Sequence, residues 1–218
     1  MQAFVLISVT LCLIQAAVNA GAQKPYPCKS PPLMVGRLSM LNPKGHTAVY
    51  ERFSYDALGS RIYVRASVTF NNNTIYEDLL LLFREGVFYE ISYENRTCKK
   101  SELKGHFQPI EIPQDAQLLG QVVLGSSSTP GAGLLVNSWI GSVPVTKEKY
   151  LLTFTEFGCI PVSSMTYTEE TGWIISSFYD FVIGIEDPNE FIPPPFCEKA
   201  ELNRSNARSA KSFFNFLG

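Results

Sequence analysis

Residues 76–93 read "YEDLLLLFREGVFYEISY". Two runs rich in strand formers meet across Arg84-Glu85-Gly86, a glycine-bearing connection of hairpin length. In the first run, Leu79, Leu81 and Phe83 fall on one face, and Leu80 and Leu82 on the other. An antiparallel strand ordinarily leaves one face wet, so a strand that is apolar on both needs two dry covers. A second sheet, a helix or a subunit interface would supply the extra cover, and so would a cavity for a hydrophobic ligand. The same two-sided character recurs at Leu134, Leu135 and Val136, and at Trp173, Ile174 and Ile175.

The rest of the chain continues the β pattern. In "RIYVRASVTF" (61–70), Ile62, Val64, Ala66, Val68 and Phe70 share one face, and Arg61, Tyr63, Arg65, Ser67 and Thr69 the other. "TAVYERFSY" precedes it across a short glycine-bearing turn, and "GLLVNSWIG", "KYLLTFTEF", "SMTYTEE" and "GWIISSFYDFVIGI" read as further strands. In the last of these, Trp173, Ile175, Tyr179, Phe181, Ile183 and Ile185 form an odd-numbered apolar face. Successive hairpins of this kind build an antiparallel sheet or barrel, so the fold class is mainly β. Two segments have helical potential: one short turn or helix in "PQDAQLLGQVV" (113–123) and a helix in "NRSNARSAKSFFNFL" (203–217). The tail's Arg204, Arg208 and Lys211 beside Phe213, Phe214 and Phe216 suit docking on the protein's own core, with membrane-surface contact as the alternative.

The chain opens with "MQAFVLISVTLCLIQAAVNA", which has no charge, a short apolar run and small residues at its end. Residues 1–20 therefore read as a secretory signal peptide, with cleavage after Ala22 as the alternative, because the apolar run is too short to span a bilayer. No later stretch reads as a transmembrane segment. Residues 21–218 read as one domain, since no low-complexity linker divides them. A net charge of −2 without a basic stripe argues against nucleic acid as a partner.

Cys28, Cys98, Cys159 and Cys197 remain after the leader. In an oxidising compartment they point to two disulfides, with three pairings open. Zinc is the competing reading, but the cysteines are far apart and neither His46 nor His106 has a partner at ligand spacing. Sequons at Asn72, Asn95 and Asn203 suit an exported glycoprotein.

Catalytic signals are thin. There is no G-x-S-x-G elbow, H-E-x-x-H or phosphate-binding glycine loop. Asp180, Glu186, Asp187 and Glu190 could pair as acid and base or offer oxygens to calcium, although their spacing matches no regular loop.

Four ordered stretches carry a resemblance: "YPCKSPPLMVG" (26–36), "LLLLFREGVFYEI" with "CKKSEL" behind it, "GCIPVSSMTY" (158–167) and "GIEDPNEFIPPPFC" (184–197). Together they surround all four cysteines. The chain resembles the ependymin and ependymin-related family, its tetrapod members in particular. The resemblance implies Cys28–Cys159 and Cys98–Cys197 bridges, so the proline-rich stretch becomes a rigid strap. It implies a curved antiparallel half-barrel, like the bacterial lipoprotein carriers, with a deep apolar pocket and a few short helices.

It further implies a secreted or lysosomal glycoprotein, often a homodimer, that binds calcium and hydrophobic molecules such as lipids. The expected function is a non-enzymatic hydrophobic-ligand carrier, with a calcium-dependent matrix or adhesion glycoprotein as the alternative. Strand positions place Leu80, Leu82, Val136, Trp139, Phe154, Trp173 and Phe178 on the pocket wall.

Overall fold

The computed structural model describes residues 24–70, 73–143 and 147–209. The signal-peptide expectation, Asn72 and the aromatic tail from Phe213 to Phe216 lie outside these residues.

Twelve strands follow one another: β1 Leu33–Asn42, β2 Thr47–Asp56, β3 Arg61–Phe70, β4 Asn73–Leu82, β5 Val87–Ser92, β6 Thr97–Lys104, β7 Gln117–Gly125, β8 Gly133–Ser142, β9 Lys149–Thr155, β10 Pro161–Thr168, β11 Gly172–Ile183 and β12 Leu202–Ser209. All join one sheet in the order β12-β6-β5-β4-β3-β2-β1-β11-β10-β9-β8-β7. Two antiparallel meanders, β1–β6 and β7–β11, are joined side by side where β1 pairs with β11.

Chain reach requires this sheet to curl. β6 and β7 hold the second and twelfth places, so a flat sheet would part them by roughly 48 Å at the usual strand spacing. The connection from Lys104 to Gln117 could span at most about 45 Å fully extended, and it bends at Gln114-Asp115. It therefore crosses one face of a curved sheet, carrying Phe107, Ile110, Ile112 and Ala116 onto the main apolar core. Backbone bonds from Ser30 N–H to the Ile110 carbonyl (3.0 Å) and from Ile112 N–H to the Cys28 carbonyl (3.0 Å) hold the crossover. The Cys28–Cys159 bridge ties the segment beside it to the later part of the chain.

The two-faced strand β4 finds two covers. Leu79 and Leu81 enter the main core, whereas Leu80 and Leu82 enter a second cluster with Tyr63, Tyr89, Ile91, Phe191 and Cys197. The cover on that second side is the proline-rich strap, folded into short 3-10 turns at Pro188–Phe191 and Pro195–Cys197. Cys98–Cys197 fixes it covalently to β6, the pairing the resemblance implied. Glu190 adds a polar anchor, with Arg52 at 2.6 Å and the Ser54 hydroxyl donating at 2.5 Å. The Arg61 guanidinium lies 4.4 Å from the Phe191 ring centre.

One sequence expectation is met in its lesser form, and two are corrected. Only Gln114 and Asp115 form a turn in 113–123; from Gln117 onward the segment is strand β7, the sheet's last member. Residues 202–209 form β12, parallel to β6, instead of starting a helix, because the free β6 edge offers their backbone partners. In β11 the buried face begins even-numbered, with Ile174, Ser176 and Phe178, and changes at Asp180, which adopts φ 55°. The β1–β11 register slips there, between Val35 and Arg37, as a bulge requires. Phe181 then faces inward and meets Phe53 edge-on at 5.8 Å, over Gly36.

A Cβ at position 36 would lie 2.8 Å from the Phe181 ring. Gly36→Ala is therefore expected to cost about 1–3 kcal/mol by overpacking, measured as a lowered urea midpoint with an unchanged slope.

Candidate ligand-binding face

Register places side chains of the curled face in rows. Phe178, Leu38, Glu51, Ala66 and Glu77 form one, across β11, β1, β2, β3 and β4. A second runs Trp139, Leu152, Ser164, Ser176, Met40, Val49 and Val68. A third holds Met34, Tyr55, Ile62, Leu81 and Phe88. Residues from β1 to β9 and the crossover thus share one apolar body, which is possible because the sheet wraps around it.

Within that body lies a carboxyl group. Glu51 is 0 % exposed, and neither of its oxygens has a hydrogen-bond partner. Burial pushes its pKa up to about 8, because removal from water penalises the charged form. The Trp139 indole N–H, on the same face, is likewise buried and unpartnered. Nearby polar groups are satisfied differently: the Tyr55 hydroxyl accepts from the Ile110 N–H at 3.0 Å, tying the crossover to β2. Natural interiors seldom leave polar groups unpaired, so these two side chains are the chemical irregularity of the face.

The expected wall residues divide. Trp139, Phe154 and Phe178 come together in the main core, and Val136 is fully buried on β8. Leu80 and Leu82 sit on the reverse side of β4, beneath the strap, because the strand's second apolar face serves the strap and not the interior. Trp173 is 45 % exposed and stacks at a tilt on Tyr167, 5.1 Å away. The β11 bulge accounts for that misassignment.

Glu51 was legible in outline. In "TAVYERFSY" it occupies the apolar face between Val49, Phe53 and Tyr55, a carboxylate where alternation calls for a hydrophobe. Nothing in the period of 105–116 announces that its Phe107, Ile110 and Ile112 close the interior.

The outer surface carries a separate shallow, open depression of about 450 Å³, between Ser39, Leu41, Tyr50, Ser67, Ile175 and Ser177.

The carboxylates proposed for chemistry are used structurally. Asp180 lies 3.4 Å from Arg37, Glu186 and Glu190 both pair with Arg52, and Asp187 accepts from the Asn189 N–H to cap a 3-10 turn. Among the described residues no three His, Cys, Asp or Glu side chains gather as a metal site. Asn95 and Asn203 are both exposed. No helix among the described residues is long and apolar enough to cross a membrane.

Comparison with known proteins supplies the lineage. The Ependymin family model matches residues 71–197. Ependymin-1 of Oncorhynchus mykiss is 34% identical over 221 residues, covering 100% of this chain and 99% of that protein. Ependymin-2 of Carassius auratus is 32% identical over 210 residues, covering 95% and 96%. An uncharacterized conserved protein from Thermus thermophilus shares the fold at a TM-score of 0.50 and 12% identity, over 90% of this chain and 99% of its own. A putative outer membrane lipoprotein-sorting protein domain from Vibrio parahaemolyticus, with a TM-score of 0.34, is too distant to bear on function. With full-length identity above thirty per cent and a family match over most of the folded region, the chain belongs to the ependymin family.

Proposed function

We propose that this protein is a secreted, non-enzymatic carrier that holds a hydrophobic ligand on its curled face, between the sheet and the 105–116 crossover. The observation that carries the reading is an apolar interior containing two buried polar groups without partners, Glu51 and the Trp139 N–H. A ligand with an apolar tail and a polar end would complement both features. Each buried CH₂ would contribute ~0.8 kcal/mol, and the polar groups would select the head. Access requires the crossover to move away from the sheet, and only a few hydrogen bonds and packed side chains hold it.

Native mass spectrometry of protein purified from culture medium tests this directly. The expected result is a mass increment of an amphiphilic lipid that organic extraction removes. Empty protein that also takes up no long-chain probe would contradict it. The same spectra, before and after glycosidase, should show glycans on Asn95 and Asn203.

A second copy of the chain is the proposed occupant of the β7 edge. β7 closes the sheet, so its outer backbone edge is unpaired among the described residues, and Leu119, Val122 and Leu124 on it are exposed. No Asp, Glu, Lys or Arg occurs between Asp115 and Lys147, so the usual charged protection of an edge is missing. An uncharged edge can meet its own image across a twofold axis without like-charge repulsion. A bilayer would instead leave the edge N–H and C=O groups unsatisfied in hydrocarbon. Light scattering is expected to report a dimer that Val122→Lys with Leu124→Lys converts to a folded monomer. A monomeric parent at micromolar concentration would contradict this assignment.

A further inference from the structure

We propose that the shallow depression on the outer surface binds a neutral saccharide, with the Tyr50 ring as its stacking platform and a row of hydroxyls beside it. This site is separate from the curled face and does not depend on the carrier reading.

Strand register builds the row. Ser163, Ser177, Ser39, Tyr50, Ser67 and Tyr76 stand opposite one another in turn across β10, β11, β1, β2, β3 and β4. Alternation along each strand puts them on the side away from Val49 and Glu51, and none of the six is buried. The next row on that side holds Ile175, Leu41, Ala48 and Thr69. The depression of about 450 Å³ lies across both rows on β11, β1, β2 and β3. At the usual strand spacing those four strands are about 14 Å wide.

The lining selects the ligand. None of its residues is Asp, Glu, Lys or Arg. The adjoining row carries Arg37, Arg52 and Arg65, and carboxylates engage each of them: Asp180 for Arg37, Glu186 and Glu190 for Arg52, and Asp78 for Arg65. Lys44, on the β1–β2 turn, donates to the Glu169 and Glu170 carbonyls. Tyr50 is 48 % exposed, and Tyr179 braces its ring from 6.1 Å away at a tilt of 32°. Thr69 bonds Thr74 at 3.0 Å, whereas the hydroxyls of Ser39, Ser67 and Ser177 bond to no other described residue.

An exposed aromatic face beside open hydroxyls, without charge, complements a sugar ring. The ring's C–H face stacks on Tyr50, and its rim of hydroxyls exchanges hydrogen bonds with the serines. An acyl chain laid here would strip water from those hydroxyls and return no hydrogen bond. The open floor would also leave such a chain largely in solvent, unlike a site that encloses its ligand. An extended peptide would seek a free sheet edge, but all four strands are paired on both sides.

Saturation-transfer NMR on the full-length secreted glycoprotein tests the site, with maltotriose, cellotriose, chitotriose and mannotriose as probes. The expected result is transfer into the ring C–H protons of at least one probe. Tyr50→Ala should weaken that binding about tenfold, and Tyr50→Phe, which keeps the ring, should retain most of it. Ser39→Ala with Ser177→Ala should weaken it too. An unchanged urea midpoint and unchanged dodecanol uptake in Tyr50→Ala are expected, and they show that the variant is folded. Transfer to none of the probes overturns the inference. Undiminished binding in Tyr50→Ala also overturns it, because the sugar then sits elsewhere. Loss of dodecanol uptake in a folded Tyr50→Ala would assign the depression to the lipid and overturn it as well.

Discussion

The Glu51→Gln variant will be more stable than the parent at pH 8, and the difference will fade by pH 4. A buried acid whose pKa is raised keeps its proton in the folded state and surrenders it on unfolding. Folding stability from this group is thus fully present below about 4.5, the ordinary value, and is lost as pH rises through about 8. Each pKa unit corresponds to about 1.4 kcal/mol, so the loss is on the order of 4 kcal/mol by pH 8 and below about 1 kcal/mol at pH 5. For a chain of this size that is roughly 10 °C in Tm. Other carboxylates contribute to both proteins alike, so the measured quantity is the gap between the two stability curves. Thermal melts from pH 4 to 8.5 giving parallel curves would show that Glu51 finds a partner in solution.

The second large effect belongs to the strap. Cys98→Ala with Cys197→Ala should cost about 2–5 kcal/mol in urea unfolding, since the bridge closes a loop between residues separated by 99 positions. The loss should be local before it is global. With the bridge gone, only non-covalent contacts hold the strap over Leu80 and Leu82, among them Arg52–Glu190, Ser54–Glu190 and the packing of Phe191 and Phe196. Amide exchange in β4 and β5 should accelerate well before the β1–β11 pair responds. A loss below about 1 kcal/mol, with unchanged exchange in β4, would mean that the ion pair and packing suffice.

How far the sequence carried the fold depends on which forces were local. Alternation in residues 47–56 and 61–70, and the glycine-bearing turn after Phe83, specify the meanders because strand period and turn chemistry are local properties. The two-sided strand at Leu79–Phe83 announced a second cover correctly, but the choice among covers depends on chain far downstream. There the strap's prolines, unable to join a ladder, lie across the sheet's outer face instead. Trp173 was misplaced for a similar reason. One residue in left-handed backbone, Asp180, switches the inward parity of β11, and only the facing strand β1 reveals that slip. The tail at 202–209 had helical spacing, yet an open β6 edge outweighed it, as tertiary partners commonly outweigh weak helix propensity. Of the main core, Trp139, Phe154 and Phe178 were legible from strand position. Glu51 was visible as a break in alternation but acquires meaning only once its surroundings are known to be dry.

The chain's two tryptophans offer the sharpest test of a ligand-holding interior. Trp139 is 2 % exposed on the curled face, while Trp173 lies on the outer surface. A dodecyl probe brominated along its chain quenches indole fluorescence only on close contact, so a Trp173→Phe variant makes Trp139 the sole reporter. Saturable quenching of Trp139, reversed by an unbrominated competitor, is the predicted result. Unquenched Trp139 fluorescence at probe concentrations that quench Trp173 in a Trp139→Phe variant would place the lipid on the outer face and contradict the account.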